Sequence, residues 1–263
     1  MVMRIIKKSS MWVLLIVYLA LVFGFVSGRY DKQLCNKINV EIVDSASLGF
    51  LTTNDIISAI NQSGLAYLGV QLRKVDLPAL EKTIRRNQII RSCKVYTGIN
   101  GVLNVEVSQR EPFVRIIDSD DVGYYLDHEG NVLKLSPRYA PRVLVVNGHI
   151  QTPFAVGNAV NIHTLGNKPS ERKLQEIFEL TSFITQNELW NAQIEQVYVD
   201  KSGEFELVPR VGPHLILLGG IDNYKNKFEK LEIFYRQGLN NVGWNQYIKI
   251  NLKYKDQVVC TKI

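Results

Sequence analysis

The spacing of hydrophobic residues changes period several times along the chain, and each change marks an element. Residues 9–28 hold no charge, and their centre, 12–26, reads WVLLIVYLALVFGFV. A helix of that window would be roughly 30 Å long, the thickness of a bilayer's hydrocarbon core. After a polar link at 29–36, Ile38, Val40 and Ile42 alternate with Asn39 and Glu41, the pattern of a half-buried strand. Thr52 followed by Asp55 has the form of a capping box, with Ile56, Ile57 and Ile60 at helical spacing behind it and Gly64 as a stop. Asp76 caps a second helix, with Pro78 in the first turn, where a missing N–H does no harm. Leu77, Leu80 and Ile84 form its buried stripe. A strand through Cys93 and Val95, a turn from Gly98 to Gly101, and a strand carrying Leu103, Val105 and Val107 follow. The order β-α-α-β-β predicts a three-stranded sheet with both helices on one face, an α+β unit that Glu111-Pro112 ends.

From there the pattern is strand-rich. Strands are expected at 113–117, 123–126, 132–135, 143–146, 194–199, 204–208 and 214–218, and a final hairpin at 247–254 and 257–262. Two helices interrupt them. One opens at Pro169 and Ser170, with Ser170 as its cap, and buries Leu174, Ile177, Phe178 and Ile184. The other runs from Asn223 to about Arg236 with Tyr224, Phe228, Leu231 and Tyr235 on one face.

Charge adds a direction to this layout. The 263 residues carry 31 Lys+Arg against 25 Asp+Glu, a net +6, and Arg4, Lys7 and Lys8 place half of that excess in the first eight residues. The rest is too nearly neutral for a nucleic-acid footprint, which needs a basic face or stripe. Basic residues before an apolar window hold that end in the cytoplasm, so residues 29–263 are expected across the membrane. A cleaved signal peptide is the rival, with Val26-Ser27-Gly28 as its small-residue site. The length of the run and its Trp, Tyr and Phe residues favour an uncleaved anchor. Cys35, Cys93 and Cys260 are too few and too scattered for a disulfide scaffold, although one bridge is possible in an oxidising compartment.

Candidate chemistry is sparse. Ser170-Glu171-Arg172-Lys173 fits the S-x-x-K of penicillin-binding enzymes, but the S-D-N and K-T-G elements that must accompany it are missing. Asp118-Ser119-Asp120 fits the D-x-D of type II membrane glycosyltransferases, where paired carboxylates hold a metal-bound sugar nucleotide. Asp121 and Gly123 behind it read instead as a polar turn. His128, His149, His163 and His214 are scattered without metal spacing. The sequence therefore predicts no catalytic residue, cofactor or metal, and offers interaction surface. The final hairpin is the candidate, because an edge strand carries unpaired N–H and C=O groups that accept another chain's strand. On that expectation Val259 supplies an edge donor that a proline would remove.

Order and spacing together resemble the FtsQ/DivIB family of bacterial cell-division proteins. The segments IIRSCKV (89–95) and LNVEVSQREP (103–112) are similar to the family's strand pair ending in R-E-P. YLDHEG (125–130) is similar to its Y-L-D-x-x-G hairpin, and YIKINLKY (247–254) to its closing I-D-L-R-Y strand, with Asn251 and Lys253 in place of Asp and Arg. Pro141-Arg142-Val143-Leu144 ahead of Gly148 is a looser form of the family's P-x-L before a central glycine. The resemblance implies a cytoplasmic tail at 1–8, a transmembrane helix at 9–28, a POTRA-like domain at 37–111 and an FtsQ-type β domain at 112–263. It implies a non-enzymatic scaffold that links early and late division proteins and binds FtsB and FtsL through the edge of the β domain. Tyr254, Lys253, Lys255, Val258, Val259 and Cys260 are the expected contact residues. A membrane-anchored cell-envelope enzyme such as a glycosyltransferase is the alternative. It would need an alternating α/β nucleotide-binding fold, which the strand-rich pattern lacks. A POTRA-type chaperone of outer-membrane assembly would need many barrel strands, for which the remaining length is too short.

Overall fold

The computed structural model describes residues 15–22, 33–98, 101–255 and 257–263. Residues 15–22 are helical and exposed. The tail at 1–8 and the rest of the 9–28 window lie outside the described residues. Among the described residues no helix is long and apolar enough to cross a membrane. The chain divides into two compact units, Met1–Ser47 with Leu51–Gln109, and Leu48–Phe50 with Arg110–Ile263.

In the first unit the order is β1 (Lys37–Ile42), α1 (Thr53–Gln62), α2 (Leu77–Ile84), β2 (Ile90–Thr97) and β3 (Val102–Gln109), the predicted β-α-α-β-β. The sheet order is β1-β3-β2, with β1 parallel and β2 antiparallel to β3. Capping fixes both helix starts. The Thr52 N–H donates to Asp55 Oδ2 at 2.8 Å, and Asp76 Oδ1 accepts from the Ala79 N–H at 3.0 Å. Each such cap is worth ~1 kcal/mol. Ile56, Ile60, Leu80 and Ile84 from the helices and Leu103, Val105 and Val107 from the central strand are buried.

The second unit is built on a nine-stranded mixed sheet. Its strands are β4 (Pro112–Ile117), β5 (Gly123–Asp127), β6 (Val132–Lys134), β7 (Leu144–Gly148), β8 (Ile194–Val199), β9 (Phe205–Pro209), β10 (Leu215–Gly219), β11 (Tyr247–Asn251) and β12 (Val259–Lys262). They lie in the order β12-β11-β10-β9-β8-β7-β4-β5-β6. Two of its parallel pairs, β7 with β8 and β10 with β11, explain the helices, because parallel neighbours need a crossover. The first crossover is α3 (Pro169–Gln186) and α4 (Glu188–Gln193), the second α5 (Tyr224–Ile233).

One row of apolar side chains crosses this sheet. Tyr124, Ile116, Val146, Val197, Leu207, Ile216, Ile250 and Cys260 are register partners in succession from β5 to β12. The first seven are buried, and Leu174, Ile177, Leu180, Ile184, Phe228 and Leu231 from α3 and α5 belong to the same core.

Several sequence expectations need correction here. The second unit has more helices than the two expected: Asn187 caps α4 through its side chain, which accepts the Trp190 N–H at 3.1 Å, and a short helical turn at Asn240–Val242 precedes β11. Helix α5 also passes into a π-helical stretch, Phe234–Leu239, that buries Tyr235 and Leu239. Ser170 is not the cap of α3. The helix does open at Pro169, but its cap position is Lys168, two residues before Ser170, and the Lys168 N–H donates to Glu171 Oε2 at 3.0 Å. Strand β11 stops at Asn251, three residues short of Tyr254, because Asn251 Oδ1 accepts the Lys253 N–H at 3.0 Å and turns the chain.

Candidate partner-binding edge

The two ends of the large sheet differ. At β6 the strand is three residues long, the Val132 N–H donates to Val160 O at 2.9 Å, and Asn131 bridges to Asn161. That edge is covered by the chain's own loop. At β12, among the described residues, no strand lies on the outer side.

Antiparallel pairing fixes which groups β12 presents. Asn251 pairs with Val259, Ile250 with Cys260, Lys249 with Thr261 and Tyr247 with Lys262, and the Ile263 N–H donates to Gln246 O at 3.2 Å. N–H groups alternate inward and outward along such a strand. Those of Ile263, Thr261 and Val259 therefore point at β11, and those of Cys260 and Lys262 point away. The expectation for Val259 is thus corrected: its N–H belongs to the hairpin, and the edge donors are Cys260 and Lys262.

Side chains alternate across the same strand. Val259 is exposed, while Val258 and Cys260 are half-buried against the core. Cys260 ends the apolar row, and its partial burial pushes the thiol pKa up. Tyr254 is 49% exposed and stands on the turn between β11 and β12, beyond the ladder. Lys253 and Lys255 flank it. Lys253 Nζ donates to Glu204 Oε2 at 2.8 Å, a bond that raises its pKa and engages its charge. A pocket of about 520 Å³ opens beside this turn, lined by Lys227, Lys230, Lys253, Tyr254 and Lys255 with Glu204 and Asp222 among the acids. Burial lowers the Lys227 pKa, and Lys230 and Lys253 nearby push it the same way, against Asp222 and Glu204. The six expected contact residues therefore fall on one turn and one strand. Sequence reasoning missed Lys230, whose ammonium reaches the backbone of that turn from α5.

A family model described as FtsQ/DivIB, C-terminal related, matches residues 111–261, and one described as a POTRA-like domain matches residues 33–108. The chain belongs to the FtsQ/DivIB family. No individual curated protein matches it. FtsQ/DivIB proteins are non-enzymatic cell-division scaffolds, and membership gives this chain a scaffold role at the divisome.

The motifs quoted for the family acquire physical reasons. Arg110 of R-E-P donates from Nη1 to Asp127 Oδ2 and to Glu129 Oε2, both at 2.8 Å, so R-E-P and Y-L-D-x-x-G are two halves of one ion-paired turn. Asp127 is buried and its Oδ1 accepts the N–H groups of Glu129 at 3.0 Å and Asn131 at 2.8 Å. Gly148 has φ +109°, and a Cβ there would lie 2.2 Å from Val199 O.

The enzyme-like patterns are turns and helix contacts. Asp118 is buried, and its Oδ1 accepts the N–H groups of Asp120 at 3.0 Å and Val122 at 2.9 Å, so the D-x-D carboxylate closes the β4–β5 turn. Lys173 of S-x-x-K donates to Gly203 O at 2.8 Å, pairs with Glu176 and lies 4.8 Å from the centroid of the Phe205 ring. Among the described residues no group of three or more His, Cys, Asp or Glu side chains is arranged to hold a metal.

Proposed function

We propose that this chain is a single-span membrane scaffold of the division machinery, with residues 1–8 in the cytoplasm, 9–28 in the bilayer and the two folded units on the far side. It performs no catalysis. Its β12 edge accepts an extended segment of an FtsB/FtsL-type partner, and the POTRA-like unit serves recruitment to the division site. The observation that carries the binding reading is the asymmetry of the large sheet: β6 is covered by a loop, and β12 has no outer strand among the described residues. An added strand gains main-chain hydrogen bonds at Cys260 and Lys262, and side chains on alternate positions supply specificity. The apolar row ending half-open at Cys260 favours an apolar partner residue at that register. Tyr254 adds a large ring with a hydroxyl, a frequent hot-spot chemistry.

The test is capture of the FtsB/FtsL pair by variants whose folding is checked by circular dichroism. Tyr254→Ala is expected to weaken capture by ~2 kcal/mol or more, and Lys255→Ala, an exposed charge, by ~0–1 kcal/mol. A folded Tyr254→Ala protein that captures its partners at wild-type strength removes this site.

A further inference from the structure

A single ammonium holds the turn on which Tyr254 stands. Lys230 Nζ, reaching over from α5, donates to the carbonyl oxygens of Leu252 at 3.3 Å, Tyr254 at 2.5 Å and Lys255 at 3.2 Å. An ammonium has three N–H donors and no acceptor. All three of its bonds are therefore spent on one stretch of backbone. That stretch has left the sheet: after Asn251 the Leu252 N–H still reaches Leu217 O at 3.0 Å, and the ladder resumes only at Val259. One helical turn earlier, Lys227 Nζ donates to Gly220 O at 2.8 Å, so the same face of α5 grips the end of β10 and the turn after β11.

We propose that Lys230 is a positioning residue of the partner edge. It holds the 252–255 backbone so that Tyr254 is presented in place before a partner arrives. This rests on the reading of β12 and Tyr254 as the partner site. Ordering a loop at the moment of association subtracts from affinity, and a loop already ordered avoids that cost. Lys230 contributes through the backbone it holds, since its own N–H groups are all engaged; it does not pair with the partner. The acidic groups of a partner strand have Lys255 available instead.

The experiment uses the full-length protein and the FtsB/FtsL pair as the probe. Lys230→Met keeps the stem and removes the ammonium. It is expected to weaken capture about tenfold, to leave the circular dichroism spectrum unchanged and to speed hydrogen exchange at the Lys253 amide, which donates to Asn251 Oδ1. In a Tyr254→Ala background the same substitution is expected to cost less than about twofold, because interacting residues are non-additive. A merely destabilising change would cost the same in both backgrounds, and that result overturns the proposal. Wild-type capture by Lys230→Met, or unchanged exchange at Lys253, overturns it as well. Lys262→Pro separates the two layers. If it loses capture while Lys230→Met keeps it, the positioning role fails and the edge stands. If Lys262→Pro, Tyr254→Ala and Lys230→Met all capture normally, both fail together.

Discussion

His214 shows how one buried residue sets a response to acid. It is 2% exposed, its Nε2 shares a hydrogen bond with the Tyr235 hydroxyl at 3.0 Å, and its Nδ1 has no partner among the described residues. Burial holds its pKa below the ordinary 6.5, so the folded protein favours the neutral ring. As pH falls through that value, the unfolded chain binds a proton the folded protein resists, and stability drops; at higher pH both states are neutral and the effect vanishes. Melting temperature is expected to fall between about pH 7 and 5, more steeply in the wild type than in His214→Phe. Equal slopes would show that His214 does not carry the response. Asp127 matters at this scale through its hydrogen bonds. Removing its carboxylate leaves Arg110 with one partner and two turn N–H groups without an acceptor. Asp127→Ala is expected to destabilise by ~3 kcal/mol in denaturant titration, and Ser170→Ala, which removes no cap, by less than ~0.5 kcal/mol.

At the scale of elements, β12 gives the sharpest contrast. A proline removes one N–H, and it is tolerated on an edge strand only where that N–H faces outward. Lys262→Pro is expected to keep the hairpin folded and lose strand addition. Val259→Pro is expected to break the bond to Asn251 and loosen β11 and β12 together, visible as lost exchange protection in both strands. The reverse assignment of these two outcomes would mean that the strand's phase is opposite. The strand elements themselves were readable from alternation, as in β3, where Leu103, Val105 and Val107 point inward. What alternation missed lay at the ends. Lys253 and Tyr254 continue a strand-like pattern, yet a side-chain acceptor at Asn251 turns the chain first. Helix α4 is only six residues long and follows α3 directly, so periodicity could not separate the two.

For the whole molecule, topology is the decisive expectation. On the proposed reading, the uncharged window at 9–28 behind Arg4, Lys7 and Lys8 puts residues 29–263 outside the cytoplasm. A reporter that works only beyond the membrane, fused after Ile263, is expected to be active. Recovery of a soluble mature chain starting near Arg29 would contradict the anchor. Depletion of a division scaffold is expected to give filamentous, undivided cells.

The sequence by itself determined the α+β class, the β-α-α-β-β unit and the family, because each follows from local signals: alternation, helical spacing, caps and short motifs in a fixed order. It also located the hairpin that carries Tyr254 and Cys260. Only the tertiary structure decided which end of the nine-stranded sheet is covered, since that depends on a loop at Val160 folding back over β6. The same holds for the phase of β12, which comes from its register on β11. It holds equally for the hold of Lys230 on the backbone 22 to 25 residues away. These are pairings between segments distant in the chain, and no periodicity within either segment encodes them.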